Sequence, residues 1–350
     1  MKVLIPGVNW QGNFIQNIGS AFQKNGCEIE YCFFNLQKSI LRSLKLNYIL
    51  KINEYINKND YICYNKIVEN VAINFKPDLI FTFSAGSRLL PETLSKLKKK
   101  LNCRTATLIG DNPFDSSRDK YVPMSLQYYD YIFIGDNIWK QNIQNVASHS
   151  KLFSWYGGYN DDIFYPLKNE EIMDSDIEKF KCDLSFTGSN YGEGAEGAYR
   201  AGILNQLNDF DLKIWGYGNW PYRFEFFPNL RNAYKGDSLS YIDLKKLYNL
   251  SKINLNMPSP QIFTSFQPRV FEIAATKGFQ IIDYRADLLK IFNETDIVTF
   301  KTIPELKEKI KYYIGHPLQR NEMALKLYNK VVNNYTWKNQ VKIILEIIND

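Results

Sequence analysis

A chain of 350 residues with 45% hydrophobic and 15% aromatic residues has ample apolar material for packed cores, which excludes a disordered or low-complexity protein. Its length favours two domains. The net charge of +6, scattered along the chain, suits an anionic ligand or a membrane surface and is too small to argue for nucleic acid.

"KVLI" (2–5) reads as a buried strand, and Gly7–Gly12 as the turn before a helix that ends near Gly26. A second strand follows in "EIEYCFF", then a lysine- and asparagine-rich helical region over about 38–75. Next come the strand "DLIFTF" (78–83), a helix over about 91–101, and the strands "TATLIG" (105–110) and "YIFIG" (131–135). The basic run "KLKKKL" (96–101) reads as the solvated face of that helix. Strands alternating with helices predict a parallel, doubly wound sheet. "GGYNDDIFYP" (157–166) suits a linker, after which "DLSFTG" (183–188), "DLKIWG" (211–216), "KINLNM" (252–257) and "FQIID" (279–283) continue as strands. The last stretch, roughly 304–349, reads as helical with a break at Pro317. The predicted architecture is two facing Rossmann-like domains, 1–158 and 159–334, with 335–350 a C-terminal helix packing back on the first domain. Ligands of such sheets sit at the carboxyl ends of the strands, here in the cleft between domains.

Cys27, Cys32, Cys63, Cys103 and Cys182 are odd in number, without a CxxC pair, and only His149 and His316 stand beside them as ligand types. No zinc site is expected, and reduced thiols suit a cytoplasmic protein. "MKVLIPGV" is interrupted too early for a signal peptide, and no apolar stretch reaches a membrane span.

In "QPRVFEIAATKGFQIID" (267–283), Pro268 suits the start of a helix of about ten residues and Gly278 its end. Arg269 and Glu272 then share one face near a strand's carboxyl end. The two are either a mere intrahelical ion pair, or a site where an arginine and free amides bind phosphate and a carboxylate accepts hydrogen bonds from sugar hydroxyls. "SFTGSNYGEGAEG" (185–197) is a small-residue loop after a strand: an ordinary turn, or a place where amides approach a phosphate. "GVNWQGN" (7–13) is the equivalent turn of the first half. In "GDNPFD" (110–115), Asp111 is either an Asx turn before Pro113 or a base at the mouth of the sheet. Tyr217 and Trp220 offer flat faces for a base or sugar ring, or pack in the core.

The run from "KINLNM" through "QPRVFEIAATKGFQIIDYRADLLKIF" to "YYIGHPLQRNEMALK" resembles the C-terminal half of the CgeB-like glycosyltransferases, and "KPDLIFTF", "LIGDNPFD", "YYDYIFIGD" and "DDIFYPL" resemble that family's first domain and crossover. The resemblance implies the GT-B class, a bacterial enzyme transferring a sugar from a nucleotide-sugar donor to an acceptor that the sequence does not name. It implies that Glu272 holds the donor ribose and Arg269 meets the diphosphate, with Gly188, Ser189 and Asn190 on the donor side. By the same likeness Asn9 and Gly12 approach the sugar or diphosphate; an inverting transferase needs a base near the acceptor hydroxyl, and Asp111, from its place at the mouth of the sheet, is the candidate. Many retaining members carry an acid eight positions before the glutamate, where this chain has Thr264. No metal-ligand cluster is recognisable, so neither metal nor other cofactor is expected. The rival functions are a nucleotide-sugar epimerase of the same plan and a non-catalytic nucleotide-sugar-binding protein.

Overall fold

A computed structural model describes residues 1–9, 14–34, 50–83, 88–115, 120–191 and 194–350. Most of the apolar runs read above become parallel strands because they are buried on both faces and carry β-branched or aromatic residues, whereas the edge run "EIEYCFF" is half-exposed. In the first half these are β1 (Lys2–Gly7), β2 (Glu28–Phe33), β3 (Leu79–Phe83), β4 (Arg104–Ile109), β5 (Tyr131–Ile134) and β6 (Lys151–Ser154). They pair in the order β2-β1-β3-β4-β5-β6. Strand β6 was not anticipated: it is a half-exposed edge strand whose four residues carry little apolar signal.

The second sheet comprises β7 (Cys182–Thr187), β8 (Leu212–Trp215), β9 (Tyr234–Gly236), β10 (Ser251–Asn256), β11 (Gln280–Asp283) and β12 (Thr299–Phe300). Its order is β12-β11-β10-β7-β8-β9, so the chain reverses direction across the sheet between β7 and β10. Such a switch point leaves a crevice at the carboxyl ends of the central strands. Both sheets are parallel throughout. The chain divides into unit 1, Met1–Trp155 with Val341–Asp350, and unit 2, Tyr156–Gln340. The final helix, Trp337–Asn349, contributes its end to unit 1, where Tyr131 donates to the Ile348 carbonyl and Arg104 to Asn349 Oδ1.

The stretch 157–166 is not a linker. Tyr159 and Phe164 are buried in the core of unit 2, and Tyr159 exchanges backbone hydrogen bonds with Tyr335 and Trp337 at 3.0 and 2.9 Å. Its glycines and aspartates mimic a linker, but two aromatic anchors outweigh them. Among the described residues no helix is long and apolar enough to cross a membrane.

The loops after β7 and β8 touch backbone to backbone: the Gly188 N–H donates to the Trp215 carbonyl at 3.0 Å, and a Cβ on Gly216 would lie 1.8 Å from Gly188 O. Gly216→Ala should therefore destabilise the fold by about 1–3 kcal/mol or more through overpacking. Urea unfolding measures it, and an unchanged midpoint would show that the two loops do not depend on this contact.

Candidate functional site

At the carboxyl ends of β7 and β8 lies a cavity of about 220 Å³. The loop after β7 supplies Thr187, Gly188, Ser189 and Tyr191, and Gly216 and Tyr217 continue the wall after β8. Across the switch point Gln267 and Arg269 close it, and Arg200 reaches in from the helix Ala195–Leu204.

Two guanidinium groups dominate this cavity. Arg200 is 2% exposed; its Nη1 donates to the Ser189 carbonyl at 3.0 Å and its Nη2 to the Met257 carbonyl at 3.1 Å. Its Nε has no partner, and neither do the Nε and Nη1 of Arg269. Among the described residues no carboxylate comes within ion-pair distance of either arginine. Burial lowers the Arg200 pKa, and the positive charge of Arg269 pushes the same way. Buried cations with unpaired donors are costly, so the arrangement calls for an anion.

The helix Arg269–Ala275 aims Arg269. Val270, Phe271, Ile273, Ala274 and Ala275 are buried, and Phe271 stacks on Tyr335 with ring centroids 4.6 Å apart. From β11, Gln280 donates to the Val270 carbonyl at 2.8 Å while accepting from Asn256 of β10 at 3.0 Å. With that face spent on the core, Arg269 and Glu272 are the polar residues left to face outward. The helix has seven residues rather than about ten. Lys277, not Gly278, takes the left-handed conformation (φ 58°), and Gly278 is glycine because a Cβ would lie 2.6 Å from Tyr248 O.

Residues 200–346, which include Arg200 and this helix, match the family described as glycosyl transferase-like. The Bacillus subtilis spore protein CgeB is 30% identical over 101 residues, 26% of this chain and 31% of CgeB, so the match spans about a third of that relative's length. A sucrose-phosphate synthase from Thermosynechococcus elongatus superposes with TM-score 0.70 at 12% identity, over 99% of this chain and 98% of the synthase. The Anabaena protein HepE in complex with UDP-glucose gives 0.65 at 10% identity over 100% and 99%. The family match spans less than half of the chain, and the superpositions show that the chain has the GT-B fold. The resemblance to CgeB-like glycosyltransferases read from the sequence holds.

Within unit 2, Gly188, Ser189, Tyr217 and Arg269 come together around the cavity, and Tyr217 is 61% exposed at its wall. Asn190 does not line it. Its amide donates to the carbonyls of Gly218 and Asn219 at 3.0 and 3.1 Å and accepts from Arg223 at 3.1 Å, which ties the two loops together. Trp220 is fully buried against Phe186 and donates to Gly188 O at 3.2 Å, so it flanks no ligand. Thr264 donates to the buried Asp287 at 3.3 Å. Asp111 lies partly buried after β4 in unit 1. Asn9 is exposed after β1 and accepts from Gln16 at 2.8 Å, while Gly12 lies outside the described residues. Among the described residues no three potential metal ligands cluster.

Sequence reasoning missed Arg200 and Gln267. Arg200 sits in "AYRAGIL", where an arginine on an amphipathic helix reads as solvent-facing; its one signal is the alanines and glycine around it, which let the loop after β7 approach. A Cβ on Gly197 of that helix would lie 1.7 Å from Asn190 O.

Glu272 is partly buried, and its carboxylate has no hydrogen-bond partner among the described residues. Burial pushes its pKa up to about 7, with the nearby Arg269 charge opposing. A raised folded-state pKa means the folded protein holds a proton that the unfolded chain has already lost. Stability therefore falls as pH rises from the ordinary carboxylate range to about 7. Glu272→Gln should remove this slope, giving a higher Tm than wild type at pH 8 and a similar one at pH 4. Parallel Tm–pH curves for the two proteins would contradict it.

Proposed function

We propose that the protein is a glycosyltransferase that moves a sugar from a nucleotide-sugar donor, the donor's diphosphate lying between Arg200 and Arg269. The observation that carries this reading is a pair of arginines lining one cavity, with three buried guanidinium nitrogens between them that have no partner, in a chain whose residues 200–346 match a glycosyl transferase-like family. Loop amides around Gly188 and Ser189 add further donors. The HepE complex with UDP-glucose supports a nucleotide-sugar donor for this fold. Glu272, three residues beyond Arg269, accepts hydrogen bonds from the donor ribose, and the exposed Tyr217 ring offers a face for the base.

In the reaction an acceptor hydroxyl attacks the anomeric carbon while the bond to the diphosphate breaks. The departing diphosphate keeps the electron pair, and the two arginines neutralise the charge that develops. Asp111 of unit 1 is the proposed base for the hydroxyl proton. With two guanidinium groups supplying positive charge at the leaving group, we propose that the reaction runs without a metal ion. Turnover in excess chelator should match that in its absence, and a loss restored by magnesium or manganese would refute this part.

The donor reading is tested by titrating nucleoside diphosphates, UDP first, into the full chain. A hydrogen bond to a charged group is worth roughly 1.5–3 kcal/mol, so Arg269→Gln should weaken binding by about 10- to 150-fold. Unchanged affinity, or no binding by wild type to any nucleoside diphosphate, would overturn it. Asp111→Asn should abolish turnover while leaving diphosphate affinity within about threefold of wild type; retained turnover would place the base elsewhere.

A further inference from the structure

The tyrosine in "GSNYGEG" is in an unusual state. Tyr191 has φ 53°, a left-handed conformation that a bulky residue rarely adopts, and its N–H is held by Ser189 Oγ at 2.8 Å. The ring is 37% exposed, lines the cavity, and lies with its centroid 4.9 Å from the Arg200 guanidinium carbon. On Arg200 a second ring, that of the buried Phe186, lies at 5.7 Å. Both guanidinium Nη atoms are committed to loop carbonyls and the Nε is unpartnered, so this cation, which has no carboxylate in ion-pair contact, is supported by ring faces and carbonyl dipoles, with Tyr191 and Glu196 also favouring its charge.

We propose that Tyr191 is a positioning residue for the diphosphate: its ring face holds the Arg200 guanidinium in its orientation at the cavity wall, so that its positive charge is in place for an incoming phosphate. The inference rests on the donor reading above. An aromatic face attracts a cation through its quadrupole, and the attraction grows when water is excluded, as it is around Arg200. Leucine fills similar space but offers no such face. Without it, Arg200 has more to gain by turning towards solvent, and each binding event must first bring it back. The strained backbone fits this role, because strain persists where surrounding contacts over-determine a conformation.

The test uses inorganic pyrophosphate as probe, titrated calorimetrically into the full chain, so that neither base nor sugar need be known. Tyr191→Leu should weaken binding by about 2- to 30-fold, the span of a cation–π contact from exposed to desolvated, and Tyr191→Phe should stay within about twofold of wild type. Tyr191→Leu combined with Arg200→Gln should bind no more weakly than Arg200→Gln alone, because the tyrosine acts through the arginine. Thermal melts confirm that each variant is folded, with Tyr191→Met replacing the leucine variant if that one is not. Wild-type affinity in Tyr191→Leu, an equal loss in Tyr191→Phe, or additive losses in the double variant would each overturn the tyrosine's role while leaving the diphosphate reading intact. No pyrophosphate binding by wild type would sink both.

Discussion

Two positive charges stand close together in unit 2, Arg200 fully buried and Arg269 partly so, with no carboxylate in ion-pair contact with either among the described residues, and much of the local architecture follows from that. Removing an ion from water costs several kcal/mol even after relaxation, and two like charges add repulsion. The fold tolerates Arg200 because two loop carbonyls, Ser189 O and Met257 O, turn their negative ends towards it from opposite sides of the switch point. One arginine thereby ties the loop after β7 to the loop after β10, the two loops that flank the crevice. A core that only had to be stable would place apolar side chains here; buried donors left unpaired beside a cavity ask for a reason other than stability, and the proposed anionic donor supplies one.

The machinery around those charges is stiff. Gly188 and Gly216 let two loops meet through their backbones, and Asn190 fastens them with its amide. Beyond the switch point, Phe271 sits among Phe266, Phe292 and Tyr335, which fixes the short helix from below. The Asn256–Gln280–Val270 relay fixes its first turn. Preorganisation of this kind lets donors meet a developing charge without rearranging first. Arg223 and Trp220 belong to the same scaffold, gripping the carbonyls of Gly194 and Gly188.

Thr264 stands where the resemblance read from the sequence leads one to expect an acid. Its hydroxyl is hydrogen-bonded to Asp287, a buried carboxylate from the segment after β11 that also pairs with Lys290 at 2.7 Å. A carboxylate is therefore present at this corner of unit 2 despite the substitution in the local motif.

The sequence by itself determined the layers of the fold, because buried parallel strands announce themselves as apolar β-branched runs whatever their neighbours do. It also determined that Arg269 and Glu272 share a face, since three-residue spacing on a helix is a local matter. Short edge strands such as β6, β9 and β12 escaped it, for two to four residues exist as strands only through the partner beside them. Tyr159 and Phe164 were hidden for a related reason: their burial depends on Tyr335 and Trp337, more than 170 positions away. Tertiary structure alone decided that Arg200 is buried, that Trp220 supports rather than flanks the cavity, and that Glu272 titrates near neutrality. Each of these depends on how far water is excluded by segments remote in the chain, and exclusion of water is a property of the packed whole.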